Sequence, residues 1–299
     1  MKKLPFVVAL GLLLVSANGC RPADTTGAGG KNLAQMRSQA EQGDAEAQLN
    51  LGLMLAAGPS AEKDFSEAAK WFRKAADQGN ALAQSHLGVL YLDGRGVEKS
   101  YTEAVKWYRK AADQNQAKAQ FNLASMYYNG QGVEKDYVQA LNWYRKAADQ
   151  GDAGARTILG FMYNLGQGVD RDPIEAGKWF QKAAEQGNAI AQANLGALYA
   201  DGKGVEKNYT EAVKWYRKAA DQNEAKAQFN LAGMYIDGKG VEKDYVEAYA
   251  WFNLAARTDN KAAASRDELE RKLSPQQVAE AQRRTREMRL RLETELKSK

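Results

Sequence analysis

Five features of this 299-residue chain have residue types or spacings that chemistry could use. Ser60-Ala61-Glu62-Lys63 places a hydroxyl and an amine at the spacing of an acyl-transfer nucleophile and its base. That chemistry also needs Lys-Thr-Gly and Ser-Asp-Asn partners, and none accompanies it. Lys63 moreover falls in register with Lys99, Lys135 and Lys207, so it is a routine lysine of a repeat. His86 is the single histidine, which excludes a multi-histidine metal site. The Gly-Lys-Gly segments at Gly202 and Gly238 lack the Gly-Lys-Ser/Thr of a phosphate loop. Asp93, Asp201 and Asp237 stand beside glycines, but without calcium-ligand spacing. Cys20 is the single cysteine, so neither an intrachain disulfide nor a thiolate cluster can form. These residues predict no enzyme, no metal and no cofactor.

The elements that carry them follow one ruler. All six tryptophans, Trp71, Trp107, Trp143, Trp179, Trp215 and Trp251, are spaced 36 residues apart. A fixed period for the largest side chain denotes stacked copies rather than one unique core. In residues 80–115, Ala83, Gln84, Leu87, Gly88, Leu90 and Tyr91 share one face of a first helix. A small residue recurs at Gly52, Gly88, Ala124, Gly160, Gly196 and Ala232, where a neighbouring helix is expected to approach closely. A Gly-x-Gly-Val loop then leads to a second helix. Its N-cap is Asp64, Ser100, Asp136, Asp172, Asn208 or Asp244, with Glu or Gln three residues on, the pattern of a capping box. Gly79, Asn115, Gly151, Gly187 and Asn223 suit the left-handed turn that ends such a helix.

The pattern small-Gln-x-x-Leu-Gly-x-x-Tyr-x-x-Gly-x-Gly-Val, then Ala-x-x-Trp-aromatic-x-Lys-Ala-Ala-x-x-Gly, resembles the Sel-1-like repeat, a relative of the tetratricopeptide repeat. The resemblance implies an all-α, right-handed superhelix of six helix–turn–helix units, and a scaffold that binds protein or peptide partners. In related solenoids one face of the first helices lines the concave wall. Its central row here reads Asn50, His86, Asn122, Ile158, Asn194 and Asn230. Asn donates and accepts at once, which suits an extended peptide backbone. Leu49, Phe121 and Phe229 on one side, and Leu92, Tyr128 and Ile236 on the other, are expected as apolar edges. The candidate binding set is therefore Asn50, His86, Asn122, Asn194 and Asn230 with Phe121, Tyr128 and Phe229. Some cysteine-rich relatives are associated with β-lactam binding or hydrolysis, which makes Ser60 the residue to test for that alternative.

The ends complete the organisation. Residues 1–19 read as a signal peptide, with Lys2 and Lys3 before an apolar run of 12 residues, too short to span a bilayer. Ala17-Asn18-Gly19-Cys20 resembles a bacterial lipobox, although Ala17 stands where that pattern has Leu. Lipid attachment at Cys20 is expected, with Arg21 after it favouring the outer membrane; simple signal cleavage is the alternative. Residues 20–31 read as a tether, 32–43 as a capping half-repeat, 44–259 as the six units and 260–299 as C-terminal capping helices. Residues 261–299 carry 11 Lys/Arg against 7 Asp/Glu, leaving residues 20–260 near −1. A neutral repeat body excludes a phosphate-tracking stripe, hence nucleic acid. The basic end, with Arg283, Arg284, Arg286, Arg289 and Arg291, gives a second alternative: contact with cell-wall polymer or anionic lipid.

Overall fold

The computed structural model of the chain describes residues 29–57 and 64–297. Helix α1 (Gly29–Glu41) comes first. Six antiparallel pairs follow: α2 (Ala45–Ala57) with α3 (Phe65–Asp77), α4 (Ala81–Asp93) with α5 (Tyr101–Asp113), and α6 (Ala117–Asn129) with α7 (Tyr137–Asp149). Then come α8 (Ala153–Leu165) with α9 (Pro173–Glu185), α10 (Ala189–Asp201) with α11 (Tyr209–Ala220), and α12 (Ala225–Asp237) with α13 (Tyr245–Ala255). Helices α14 (Asn260–Glu270) and α15 (Pro275–Lys297) close the chain. The described residues contain no strand; the architecture is an α-solenoid. Helix α1 begins three residues inside the stretch read as tether.

The second helices start where the caps place them. Asp64, Ser100, Asp136, Asp172, Asn208 and Asp244 each accept the backbone N–H three residues on. The reciprocal half of the box is replaced. Each cap's own N–H donates to a carbonyl of the preceding first helix, as Ser100 does to Tyr91 O at 2.9 Å and Asp136 to Tyr127 O at 3.0 Å. The freed N3 carboxylates serve elsewhere: Glu247 accepts from Trp251 Nε1 at 3.0 Å. Only at α15 is the full box described, with Ser274 N–H to Gln277 Oε1 at 2.9 Å and Gln277 N–H to Ser274 Oγ at 3.2 Å. Asn115 and Asn223 take φ of 65° and 61°, the left-handed turn expected at those helix ends.

Burial runs along the stack as successive clusters. Trp71 packs with Ala40, Ala47 and Leu51, whereas Trp107 of the second unit belongs to the cluster of the first. Trp215 of the fifth unit likewise joins the cluster of the units before it, so these indoles bridge adjoining layers. The small site of the first helix is where its own partner helix comes close, chiefly through an aromatic ring, and at Gly196 also through the Ala212 carbonyl, 3.2 Å from a Cβ. A Cβ on Gly88 would lie 2.7 Å from the Tyr108 ring, and one on Gly160 2.7 Å from Phe180.

Buried glutamines join the layers. Gln84 Nε2 donates to Ala76 O at 3.0 Å, satisfying a carbonyl at the end of the previous unit's second helix, and its Oε1 accepts from Gln114 at 2.8 Å. Gln48, Gln120, Gln192 and Gln228 donate to the equivalent carbonyls. In the fourth unit Arg156 Nε takes over this role, donating to Ala148 O at 3.0 Å. Ala76 O keeps the Gly79 N–H at 3.0 Å, so Gln84→Leu removes two bonds between units, to Ala76 O and from Gln114, a loss of about 1–3 kcal/mol. Gln84→Arg, which copies the fourth unit, is expected to recover most of it in urea denaturation.

Candidate partner-binding wall

The row expected on the wall of the first helices mixes solvent exposure with framework contacts. Asn50 is exposed, and His86, Asn122, Asn194 and Asn230 are half-buried. The Asn122 side chain lies beside the Tyr108 hydroxyl and eases its ionisation, although no hydrogen bond of good geometry joins the two. Burial of the Tyr108 ring, reinforced by Asp93, still pushes that hydroxyl far above the ordinary tyrosine range. Asn230 stands in the same relation to Tyr216, whose hydroxyl is also raised, first by burial and then by Asp201. Asn194 donates to Ile190 O at 2.7 Å and accepts from Lys226 at 3.4 Å. An amide has two donors and a two-lone-pair oxygen, so capacity for a ligand remains on each.

The apolar edges divide into packed and accessible members. Leu49, expected at the groove edge, is buried instead, because it packs with Phe72 and Leu87 between the first two units. The Tyr128 hydroxyl donates to Gln167 Oε1 of the next loop at 2.8 Å, and its ring packs edge-on to Tyr137. Phe121 and Phe229 are half-buried, their rings against Tyr144 and Phe252 with centroids 5.4 and 5.3 Å apart. Exposed apolar side chains missing from the expected set are Leu82, Leu165 and Ile190. They occupy the third and fourteenth positions of their units, which the 36-residue register also assigns to the exposed face of the first helices.

The Sel1 repeat family matches residues 45–80, 81–116, 117–152, 153–188, 189–224 and 225–260. The chain belongs to the Sel1 repeat family. It is similar to the crystal structure of c5321, a protective antigen of uropathogenic Escherichia coli with an SLR fold, at 39% identity and a TM-score of 0.78. The likeness covers 86% of this chain and 56% of that one, so the chain spans little more than half of that relative. A Sel1 repeat protein from Oxalobacter formigenes is 35% identical with a TM-score of 0.65, over 76% of this chain and 95% of that one. No curated protein matches the chain. Sel1 repeat proteins are generally protein-interaction scaffolds and typically not enzymes.

Within this Sel1 solenoid the residues singled out for other chemistry have different settings. Asp201 and Asp237 form ion pairs with Lys203 and Lys239 at 2.7 and 2.6 Å. Ser60, Lys63 and Cys20 lie outside the described residues. Of the five C-terminal arginines, Arg283 pairs with Glu280 and Glu287, Arg284 with Asp244, Glu247 and Glu280, and Arg291 with Asp221. Helix α15 is thereby fastened to the last units, with Ala281 and Leu292 buried beneath it. Among the described residues no helix is long and apolar enough to cross a membrane.

His86 stacks on Phe72 with ring centroids 5.1 Å apart, and burial lowers its pKa from 6.5. The folded chain therefore holds fewer protons here than the unfolded one. Its contribution is fully present above pH 6.5 and declines as pH falls from there through the lower folded pKa. His86→Asn, the residue of four other units, is expected to flatten the pH dependence of the urea midpoint between pH 6.5 and 5.

Proposed function

We propose that the chain is a non-enzymatic adaptor of the bacterial cell envelope, binding a protein or peptide partner on the concave wall of its first helices. The observation that carries this reading is the row of partly accessible amides at Asn122, Asn194 and Asn230, one repeat or more apart on one wall. Such a row offers main-chain partners to an extended segment, with the rings of Phe121 and Phe229 beside it. The sequence reading of residues 1–20 supports an exported protein, lipid-anchored at Cys20 and facing the periplasm or the surface. Metabolic acyl labelling, lost in Cys20→Ser, tests the anchor; unchanged labelling overturns it.

The test of the adaptor reading is capture from native envelope extracts, read by mass spectrometry. Asn122→Ala, Asn194→Ala and Asn230→Ala together should abolish enrichment of the partner. Tyr108→Phe with Tyr216→Phe, which removes the framework contacts of two of these amides, should retain it. Equal capture by the triple variant and the parent would sink the proposal.

A further inference from the structure

Resting on that reading of the wall, we propose that the cleft between the fifth and sixth repeats is its anchoring subsite for an extended partner peptide. It takes one apolar side chain with an acidic one beside it. The cleft measures about 490 Å³ and includes Tyr216, Phe229 and Asn230 in its lining. Its room comes from two small residues, Ala200 and Gly233. A Cβ on Gly233 would meet nothing within 4 Å, although it lies mid-helix in α12. The pocket therefore has space for a side chain that the fold itself does not supply.

Charge selects the neighbour of that side chain. Lys203 and Lys239 at the rim are neutralised by Asp201 and Asp237. Lys207 lines the same cleft with its ammonium over the Tyr209 ring at 4.9 Å, and no described ion pair offsets it. The cleft thus carries one net positive charge in a mixed lining where Tyr209, Phe229 and Met234 stand among polar side chains, which a carboxylate beside an apolar group complements.

A second copy of the site lies 108 residues earlier and shows what opens it. Lys99, Tyr108, Phe121 and Asn122 stand where Lys207, Tyr216, Phe229 and Asn230 stand. There, however, Leu92 replaces Ala200 and Ser125 replaces Gly233. Leu92 packs against the core, and the Ser125 hydroxyl shares a 2.8 Å hydrogen bond with Tyr144. Side chains of the protein fill the space that the later copy leaves open.

The test is an NMR titration of the purified chain with an acetylated, amidated nonapeptide carrying a central Leu-Asp pair in Ser-Gly flanks. Saturable shifts are expected at the Gly233 amide and the Asn230 side chain, with affinity at least tenfold weaker for Leu-Lys and Ala-Asp peptides. Gly233→Leu should remove the response. Lys207→Glu, at an exposed side chain, should exchange the preference for Leu-Asp into one for Leu-Lys. Leu92→Ala with Ser125→Gly should open the earlier copy and raise the stoichiometry from one peptide to two. No saturable shift at the cleft, indifference to the charge of the peptide, or an unchanged stoichiometry would each overturn the inference. A native partner captured by Gly233→Leu but not by the triple asparagine variant would overturn the cleft while leaving the adaptor reading intact.

Discussion

Trp107→Ala is expected to lower the free energy of unfolding by about 3–5 kcal/mol, the range for truncating a fully buried indole. The ring is 2% exposed and shares its cluster with Leu49 and Phe72 of the preceding unit and Leu87 and Leu90 of its own first helix. Lys110 Nζ lies 4.3 Å from its centroid and Arg73 of the previous unit 5.6 Å, so the indole also joins two cations across the junction. Its Nε1 is buried without a partner, so the ring's contribution rests on packing rather than on a hydrogen bond. A solenoid has no remote contacts to compensate a lost junction, because each unit touches chiefly its neighbours. Guanidinium denaturation followed by far-UV circular dichroism measures the loss. Val138→Ala, at a side chain 54% exposed, is the control and should stay within about 0.5 kcal/mol of the parent. A Trp107 loss no larger than the control's would remove the indoles from the junctions.

Gly132→Ala should cost about 2–5 kcal/mol, while Gly151→Ala should cost only about 1–2 kcal/mol. Both glycines have positive φ, 69° and 96°, so both alanines bear left-handed strain. The difference lies in what surrounds them. A Cβ at Gly132 would fall 2.4 Å from the carbonyl carbon and oxygen of Tyr101, at the first turn of α5 in the preceding unit. A Cβ at Gly151 would meet nothing within 4 Å. Backbone cannot swing aside as a side chain can, so the loop must lift off α5 and loosen the junction between the second and third repeats. Thermal unfolding of the two variants in parallel separates strain from overlap. Equal shifts would mean that the second glycine of the loop serves only its own dihedral angle.

The two variants also mark how far local rules reach. Glycine at position 132 was legible as a turn residue, since positive φ is a property of one residue and its two peptide planes. Its contact with Tyr101 was not, because nothing within the loop signals which backbone lies above it. The same division holds for the capping residues. Asp136 was readable as an N-cap from its place before an amphipathic run, but its N–H goes to Tyr127 O rather than to Gln139. That partner belongs to the preceding first helix, and the turn geometry that brings it close follows from the packed hairpin.

The wall follows the same logic. The row of Asn122, Asn194 and Asn230 could be placed on one face by counting in 3.6-residue turns and 36-residue units. Leu49 could not be separated from Phe121 by counting, although the first is buried and the second half-exposed. Exposure at the edge of a stripe depends on the side chains that the adjoining unit brings against it.

Sequence alone determined the period, the helix ends, the family and the face each residue occupies, since these follow from rules acting over a few residues and repeated six times. Tertiary structure decided which of these faces close on one another. The glutamine clasp joins residues 30 apart, and the open cleft exists because Ala200 and Gly233 of adjoining repeats coincide in space. Volumes and hydrogen bonds shared between units are properties of the junction, and no single unit encodes them by itself.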